Sequence, residues 1–377
     1  INSVSKFLTF PALAIAFIIA FVWRGGDFLK KPTGSPAEVA PITQIRNNPE
    51  TAPKLTTLAQ GLEVPWSLAF LPDGSVLVTE RPGRVKLVGP DGKLSDSILT
   101  IDDIKNISEG GLLGVAVHPN FSVNNFVYFY YTFSASDQKT LNRVVRFKFA
   151  GNQFTDRTVI VDNISGAPNH NGGRIKFGPD GYLYITAGDA QNPSLAQNTD
   201  LLAGKILRVT DEGDVIIDNP FTNFVYSYGH RNPQGLAWDS QGRLWATEHG
   251  NNAHDEVNLV KGGQNYGWPT IQGDETRAGM ISPVIESGTS TWAPSGAAYL
   301  DGYLYFAGLR GRALFRAKIE GEKLIELTPF FKDKLGRIRD VVVGPDKLLY
   351  ITISNRDGRG IPAQSDDKIL VVNPKLL

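Results

Sequence analysis

His170 has the sequence surroundings of a catalytic histidine. It lies in the run Pro168–Arg174, among small and amide residues, directly before an apolar segment that is typical of a strand. An imidazole titrates near neutral pH, so a histidine in this place can act as a general base without special tuning. The alternative is a surface or turn histidine that makes one hydrogen bond, and His170 alone does not decide between the two.

A second polar group brackets another predicted strand. Arg231 and Asn232 precede that strand, and His249 follows it. The carboxylates of Asp255 and Glu256 come next in the chain. Together with backbone carbonyls they are the oxygen ligands that Ca²⁺ prefers. A solvated acidic turn is the alternative for this pair.

The third group is cationic and comes late in the chain. Arg310 follows one predicted strand, while Arg337 and Arg339 lead into the next. Alternate residues of a strand face the same side, so Arg337 and Arg339 point together. If Arg231 joins them, the cluster needs an anionic partner with several carboxylates or phosphates. Ion pairs with neighbouring acidic residues are the alternative.

A six-fold repeat supplies the elements that must position these groups. Each copy is an apolar run, a turn of the Pro-Asp-Gly type and a second apolar run, which indicates a β-hairpin. The turns recur every 45 to 60 residues or so, a spacing that suits four-stranded propeller blades. The sequence therefore predicts an all-β, six-bladed propeller of antiparallel blades. The copies lie near 68–79, 115–132, 175–186, 236–247, 297–306 and 341–352.

Composition narrows the class of protein further. The chain has 377 residues, and the repeat predicts a single propeller domain over 56–377. Its 38 basic and 38 acidic residues balance, so the total charge gives no indication of nucleic-acid binding. There is no cysteine, which excludes disulfides and thiolate chemistry. A metal would have to bind through oxygen atoms or one of the five histidines.

The N-terminus differs in character from the repeats. Residues 7–22 are uncharged and apolar, which predicts a hydrophobic helix within 1–24 acting as a signal peptide or an uncleaved signal-anchor. A buried helix of the globular domain is the alternative. Residues 25–55 are polar, contain proline and lack periodicity, as in a linker. We therefore expect an exported protein, periplasmic or extracellular, that is tethered to the membrane by its N-terminal segment.

Several motifs in this order resemble the glucose/sorbosone dehydrogenase family. That family comprises soluble aldose dehydrogenases that depend on pyrroloquinoline quinone (PQQ) and are built on a six-bladed propeller. The resemblance extends from about residue 56 to the C-terminus. The motifs are Gly-Gly-Leu-Leu-Gly at 110–114, His-Asn-Gly-Gly-Arg at 170–174, Gly-His-Arg-Asn-Pro-Gln-Gly at 229–235, Glu-His-Gly at 248–250, Asp-Glu at 255–256, Asn-Tyr-Gly-Trp-Pro at 265–269 and Arg-Ile-Arg-Asp at 337–340.

The resemblance implies a role for each group. His170 matches the base that takes the sugar's anomeric hydroxyl proton while hydride passes to the quinone. Arg231 and Asn232 match residues that contact the quinone oxygens. Further positions match the cofactor and metal sites: Glu109, His249, Arg310, Arg337 and Arg339 for PQQ, Gly250 and Asn251 for a Ca²⁺ beside it, and Glu256 and Tyr266 for a second, structural Ca²⁺.

Some positions depart from the family pattern. Glu109 replaces a glutamine and places a negative charge near an anionic cofactor. Asn169 stands where glucose-oxidising members have Asp, so we expect no neighbouring charge to tune His170. His249 and Asn251 replace Gln and Pro, and Ala190 lacks a side chain that members use in the pocket. The cofactor site is thus expected to be retained and the sugar pocket altered.

Three functions remain distinct at this stage. The first is oxidation of an aldose sugar to a lactone, with electrons passed to an external acceptor such as a quinone or a cytochrome. The second is a Ca²⁺-dependent hydrolase of the lactonase type, which the arginine cluster disfavours. The third is a propeller that binds ligands without catalysis. The intact His170, Arg231 and Asn232 speak against the third function, whereas Glu109 and Asn169 leave it open.

Overall fold

A computed structural model describes residues 49–377, which form six four-stranded antiparallel sheets. The predicted propeller is confirmed. The predicted N-terminal helix and all of the linker before residue 49 lie outside the described residues. The strands are β1 Leu55–Gln60, β2 Pro65–Phe70, β3 Val76–Glu80, β4 Arg84–Val88, β5 Leu99–Thr100, β6 Leu112–Val117, β7 Phe126–Ser134, β8 Thr140–Ala150, β9 Gln153–Ser165, β10 Ile175–Phe177, β11 Leu183–Ala187, β12 Lys205–Val209, β13 Val225–Tyr228, β14 Pro233–Trp238, β15 Leu244–Glu248, β16 Glu256–Val260, β17 Ile285–Glu286, β18 Pro294–Leu300, β19 Tyr303–Gly308, β20 Ala313–Glu320, β21 Lys323–Phe330, β22 Ile338–Val343, β23 Leu349–Ile353 and β24 Lys368–Val372.

Helix is a minor component of this part of the chain. The short helix α1 spans Phe121–Asn124, and 3₁₀ turns span Pro193–Gln197 and Pro374–Leu376. Within residues 49–377 no helix combines the length and the apolar character that a membrane span needs.

The repeated phrase is the inner hairpin of each blade. In the first copy the Asp73 carboxylate accepts the Ser75 N–H at 2.9 Å, and Gly74 takes a φ of +89° that closes the turn. The third copy repeats this with Asp180 and Gly181. Such a turn depends on neighbours in the sequence only, so each copy specifies its own hairpin.

The blades pack face to face through apolar side chains. Inner strands such as β3, β11 and β15 are buried along their whole length. Hydroxyl groups link one blade to the next: Thr79 donates to the Leu113 carbonyl at 2.6 Å, and Thr247 donates to the Ser295 carbonyl at 2.6 Å. These contacts fix the spacing between blades and hence the width of the channel.

The last blade is closed by the first strand of the domain. β1 pairs with β24 as the outermost strand of the sheet β22–β23–β24–β1. Part of the predicted linker packs beside this closure, because the Asn373 amide donates to the carbonyls of Pro49 and Ala52 at 2.8 Å.

Antiparallel order decides which loops meet at one mouth of the channel. In each blade the start of the first strand, the end of the second and the start of the third lie at the same edge. The loops β5–β6, β9–β10, β11–β12, β13–β14, β15–β16, β19–β20, β21–β22 and β23–β24 therefore gather at one mouth. The residues predicted for the base and the cofactor, from Glu109 to Arg339, lie in or next to these loops, whereas Tyr266 lies in the β16–β17 connection.

Candidate active site

A cavity of about 270 Å³ opens at this mouth of the propeller. It brings together residues that are far apart in the sequence. Asn232 lies behind its wall, and Glu256 and Tyr266 lie outside it. Of the residues predicted for the site, those that line the cavity are Glu109, His170, Arg231, His249, Gly250, Asn251, Asp255, Arg310, Arg337 and Arg339.

His170 is held by a buried carboxylate. Its Nδ1 lies 2.8 Å from Oδ1 of Asp189, which has no solvent exposure, and Oδ2 of Asp189 accepts the Trp268 indole N–H at 2.9 Å. The carboxylate fixes the tautomer with hydrogen on Nδ1, which leaves Nε2 free to accept a proton. The expectation that His170 lacks a charged neighbour is therefore wrong, because Asp189 supplies the charge from the next loop.

Glu109 forms the wall beside His170. Its Oε2 accepts the backbone N–H of His170 at 3.1 Å, and its Oε1 pairs with the Arg359 guanidinium at 2.6 Å. Burial opposes the charged carboxylate, but attraction to His249 and to Arg359 lowers the pKa of Glu109 to about 2. Since the pKa of His249 is itself lowered to about 4, we assign the main stabilisation at neutral pH to Arg359.

Arg359 also reaches the second departure from the family pattern. Its other terminal nitrogen donates to Oδ1 of Asn169 at 3.1 Å, and Asn169 accepts the Ser108 hydroxyl at 2.8 Å. Glu109 and Asn169 thus share one cationic partner. The negative charge of Glu109 is therefore neutralised by a side chain of the protein itself.

Two further arginines line the opposite wall and are buried. Nε of Arg337 pairs with Asp357 at 2.7 Å, and Arg339 donates to Oε1 of Gln234 at 2.8 Å. Burial lowers the pKa of Arg339 to about 9, since the charged form is costly there. The predicted alternative of ion pairing with acidic residues holds for Arg337 but only weakly for Arg339, whose guanidinium is 4.0 Å from Asp357.

Several buried donors at the cavity have no hydrogen-bond partner in residues 49–377. Three are the donors Nε of Arg231, Nδ2 of Asn232 and Nε of Arg339, and Nε2 of His249 is a fourth unpartnered atom, which donates or accepts according to its tautomer. Buried polar atoms are normally satisfied, and an unpaired one costs about 1–3 kcal/mol. Their concentration at one cavity indicates a ligand rich in acceptors.

His249 is a neutral polar group at this wall. Burial lowers its pKa to about 4, and the cationic side chains of Arg339 and Arg231 act in the same direction against the carboxylates of Asp255 and Glu109. Its backbone N–H donates to the Asn232 carbonyl at 3.2 Å, which ties the two loops together.

Asp255 organises the loop predicted to hold a metal. Its Oδ1 accepts the Gly250 N–H at 3.0 Å, and its Oδ2 accepts donors from Thr291, Trp292 and Ala293. Only glycine fits at position 250, where an added Cβ would lie 2.0 Å from the Ala253 carbonyl oxygen. Backbone carbonyls therefore crowd this turn.

Glu256 lies in a row of three glutamates outside the cavity. The strand register places Glu248 and Glu286 opposite it on its two sides. Burial, and then the nearby charge of Glu248, raise the pKa of Glu256 to about 8. Tyr266 lies near this row, with its ring stacked 4.8 Å from that of His230, which pairs with Glu248.

Sequence reasoning missed several residues of the site. Asp189 follows a repeated strand in the dipeptide Gly188-Asp189, and Arg359 stands between two glycines in the last loop. Asp189 was visible as a polar residue shortly after a repeat, and Arg359 as a cationic residue in the loop that follows the last repeat. Gln234 and Trp268 lie within noticed motifs but had no assigned role.

Comparisons with known proteins show the family to which the chain is similar. A family model described as Glucose / Sorbosone dehydrogenase matches residues 62–363. Aldose sugar dehydrogenase YliI of Escherichia coli (strain K12) is 33% identical over 334 residues, which are 80% of this chain and 90% of the relative. Quinoprotein glucose dehydrogenase B of Acinetobacter calcoaceticus is 33% identical over 255 residues, 59% of this chain and 53% of the relative. The PQQ-bound form of aldose sugar dehydrogenase from Streptomyces coelicolor has a TM-score of 0.80 at 38% identity, covering 84% of this chain and 96% of that one.

Fold and relatives together define the class of protein as a propeller oxidoreductase. The family model that matches residues 62–363 narrows this class to one family. The chain belongs to the glucose/sorbosone dehydrogenase family.

Proposed function

We propose that the protein oxidises aldose sugars at the anomeric carbon to lactones, with PQQ as its cofactor. The observation that carries this proposal is the arrangement of one cavity. A histidine oriented by a buried carboxylate faces a wall of arginines whose donors are partly unpaired. Relatives described as quinoproteins or as PQQ-bound support the choice of cofactor.

The residues present fit a tricarboxylated quinone. Nε of Arg339 and Nε of Arg231 are buried donors without partners, and carboxylate or quinone oxygens would satisfy them. Arg310 is exposed at the rim of the same cavity, where it can reach an outer carboxylate. The Nδ2 group of Asn232 adds a neutral donor, and Nε2 of His249 adds a neutral ring nitrogen.

The chemistry is divided between the protein and the cofactor. When bound, the quinone supplies a hydride acceptor. Nε2 of His170 takes the proton of the anomeric hydroxyl, and Asp189 stabilises the imidazolium that forms. Glu109 fixes the His170 backbone by accepting its N–H, so the base stays in one position through the reaction. The rigid mouth of the propeller supplies the orientation that such a transfer needs.

Calcium has two proposed places. Carbonyl oxygens around Gly250 and Asn251 would hold an ion beside the cofactor, with Asp255 bracing their loop. Glu256 and the nearby Tyr266 would belong to a second, structural site. A divalent cation there would offset the burial and the repulsion from Glu248 that together raise the pKa of Glu256 to about 8.

The cellular setting follows from the N-terminal sequence. We propose that the protein is exported, tethered by residues 1–24 and able to pass electrons to a membrane quinone or a cytochrome. Fractionation of cells that express the full chain tests this. The propeller should be in the membrane fraction, accessible to protease from outside the inner membrane, and recovery in the cytosol would refute the proposal.

One experiment decides between the three functions. The full chain is purified from a host that makes no PQQ, supplied with PQQ and Ca²⁺, and assayed for dye reduction with a set of aldoses. Activity should require PQQ and disappear in His170→Ala. His118→Gln is the matched control, because His118 also pairs with an aspartate, Asp211 at 3.3 Å, but lies at the opposite end of its blade.

Each other outcome contradicts the proposal in its own way. Lactone hydrolysis without PQQ would support the hydrolase. Ligand binding without turnover would indicate a binding module. Absence of PQQ binding at micromolar concentration would exclude the quinoprotein.

A further inference from the structure

The candidate active site adjoins a second, larger cavity. The two volumes, about 270 and 760 Å³, share four lining residues: Leu309, Arg310, Arg337 and Arg359. The second cavity lies between the fifth and sixth blades and does not reach His170. Whatever enters it from the site must pass these four residues.

Of the four boundary residues, Arg359 alone reaches across the mouth to the loops beside His170. Its guanidinium pairs with Glu109 at 2.6 Å and with Asn169 at 3.1 Å, from loops of two other blades. Arg337 and Leu309 are buried in their own walls, and Arg310 is exposed at the rim. The side chain of Arg359 is 52% exposed, so its remaining donors are open to a ligand.

The loop that carries Arg359 is built to hold it there. Oδ1 of Asp357 accepts the Arg359 N–H at 2.9 Å, while its Oδ2 holds Arg337. Gly358 has a φ of +89°, a conformation that side chains disfavour. At Gly360 an added Cβ would come within 2.5 Å of the Asn355 carbonyl, so the loop lies tight against the blade. The backbone of Arg359 is therefore held by its own loop, and its guanidinium is held by Glu109 and Asn169.

We propose that Arg359 determines the length of sugar that the site accepts. This inference rests on the proposed function. A cavity of 270 Å³ is slightly below the range of about 300–1,000 Å³ that drug-sized ligands occupy, so cofactor and sugar cannot both lie within it. The sugar must extend outward from His170 along the Glu109–Arg359 bridge. Beyond the first ring the bridge blocks the way into the second cavity, and single-ring aldoses are preferred.

The bridge also suits a neutral sugar. Glu109 accepts and Arg359 donates, so the pair offers both kinds of partner to adjacent hydroxyl groups while its net charge is zero. Arg359 is a specificity-determining residue in this scheme, and His170 remains the base. Removal of the side chain beyond Cβ joins the two cavities.

The test compares glucose with maltotriose. In Arg359→Ala the ratio of kcat/KM for maltotriose to that for glucose should rise by about tenfold or more, as expected when a pocket wall is removed. Arg359→Lys, which keeps the charge and much of the length, should restore most of the original ratio. In the double variant Arg359→Ala with Glu109→Gln the ratio should stay high, because the charge is balanced and the boundary is still open.

Arg312→Ala is the matched control. Arg312 is 54% exposed, pairs with Asp333 at 2.6 Å and lines only the second cavity. Its loss widens that cavity without opening the boundary, so the ratio should not change. A ratio that stays within twofold in Arg359→Ala, or an equal rise in Arg312→Ala, would overturn the inference.

A second readout separates this inference from the proposed function. Saturation-transfer NMR measures binding of glucose and maltotriose to the full chain without cofactor. A rise in maltotriose binding in Arg359→Ala supports the length limit even if no variant reduces dye, in which case only the proposed function fails. If maltotriose binding is the same in both proteins, the inference fails even though the enzyme is active.

Discussion

The contact between His170 and Asp189 provides the sharpest test of the site. Asp189→Asn keeps the size of the side chain and its Trp268 contact but removes the charge that faces Nδ1. An asparagine can turn its amide N–H toward Nδ1, which moves the ring proton to Nε2 and blocks the base. We expect PQQ binding to be retained and turnover to fall.

The size of the loss follows from the geometry. The Nδ1–Oδ1 distance is 2.8 Å and Asp189 is fully buried, so the bond is charge-assisted and shielded from water. Such bonds contribute about 1.5–3 kcal/mol, which corresponds to a loss of roughly 10- to 150-fold in kcat. Stopped-flow reduction of the PQQ-loaded protein by glucose under anaerobic conditions measures this step directly.

Two results would refute this reasoning. A variant that reduces its cofactor at the original rate would show that Asp189 does not orient the base. A variant that loses PQQ affinity and turnover together would show that Asp189 supports the fold of the loop instead. Asp211→Asn is the control, because Asp211 faces His118 far from the cavity and should leave kcat unchanged.

Three further predictions concern charge and metal. Arg339→Met should weaken PQQ affinity by about 30-fold or more, since a buried charged donor contributes about 2 kcal/mol or more. The Tm of the protein without cofactor should be unchanged or higher. A fall in that Tm alongside the loss of PQQ affinity would contradict a cofactor role. The pKa of Glu109 is depressed, so the stability that its carboxylate contributes is present above about pH 4.5 and is lost as the pH falls toward 2. The amount by which Glu109→Gln lowers the Tm should therefore shrink below pH 4.5. A Tm difference that stays constant from pH 7 to pH 3.5 would argue against the pair with Arg359. Chelation of Ca²⁺ should lower the Tm of the natural chain but have less effect in Glu256→Gln, and identical shifts would remove Glu256 from the metal site.

The fold could be predicted because its signals are local. In four of the six inner hairpins an aspartate such as Asp73 accepts the backbone N–H two residues on, and a residue such as Gly74 takes the left-handed conformation. Both requirements are met within five residues of sequence, so the repeat reveals them. Their spacing then determines the number of blades. The strand order in turn predicts which loops lie at the same edge of the blades, and therefore that His170 and Arg231 lie at the same mouth of the channel.

The site was less predictable because its contacts are long-range. Glu109 and Arg359 are 250 residues apart, and nothing in the sequence around either residue indicates that they pair. Asp189 is only 19 residues from His170, but nothing in the sequence favours it as the partner of the ring over Asn169, which is adjacent to the histidine. Which carboxylate faces which ring depends on how neighbouring loops fold over the channel. Composition and repeats do not contain that information.

The closure of the last blade by β1 links the two ends of the domain to its chemistry. Arg337 and Arg339 lie at the start of β22, whose sheet is complete only when β1 pairs with β24. A chain with all of its site residues but no β1 would leave the edge of that sheet unpaired. β1 carries no functional side chain, yet its pairing with β24 is expected to decide whether Arg337 and Arg339 are held in place. Binding of the cofactor would then report on whether the propeller ring has closed.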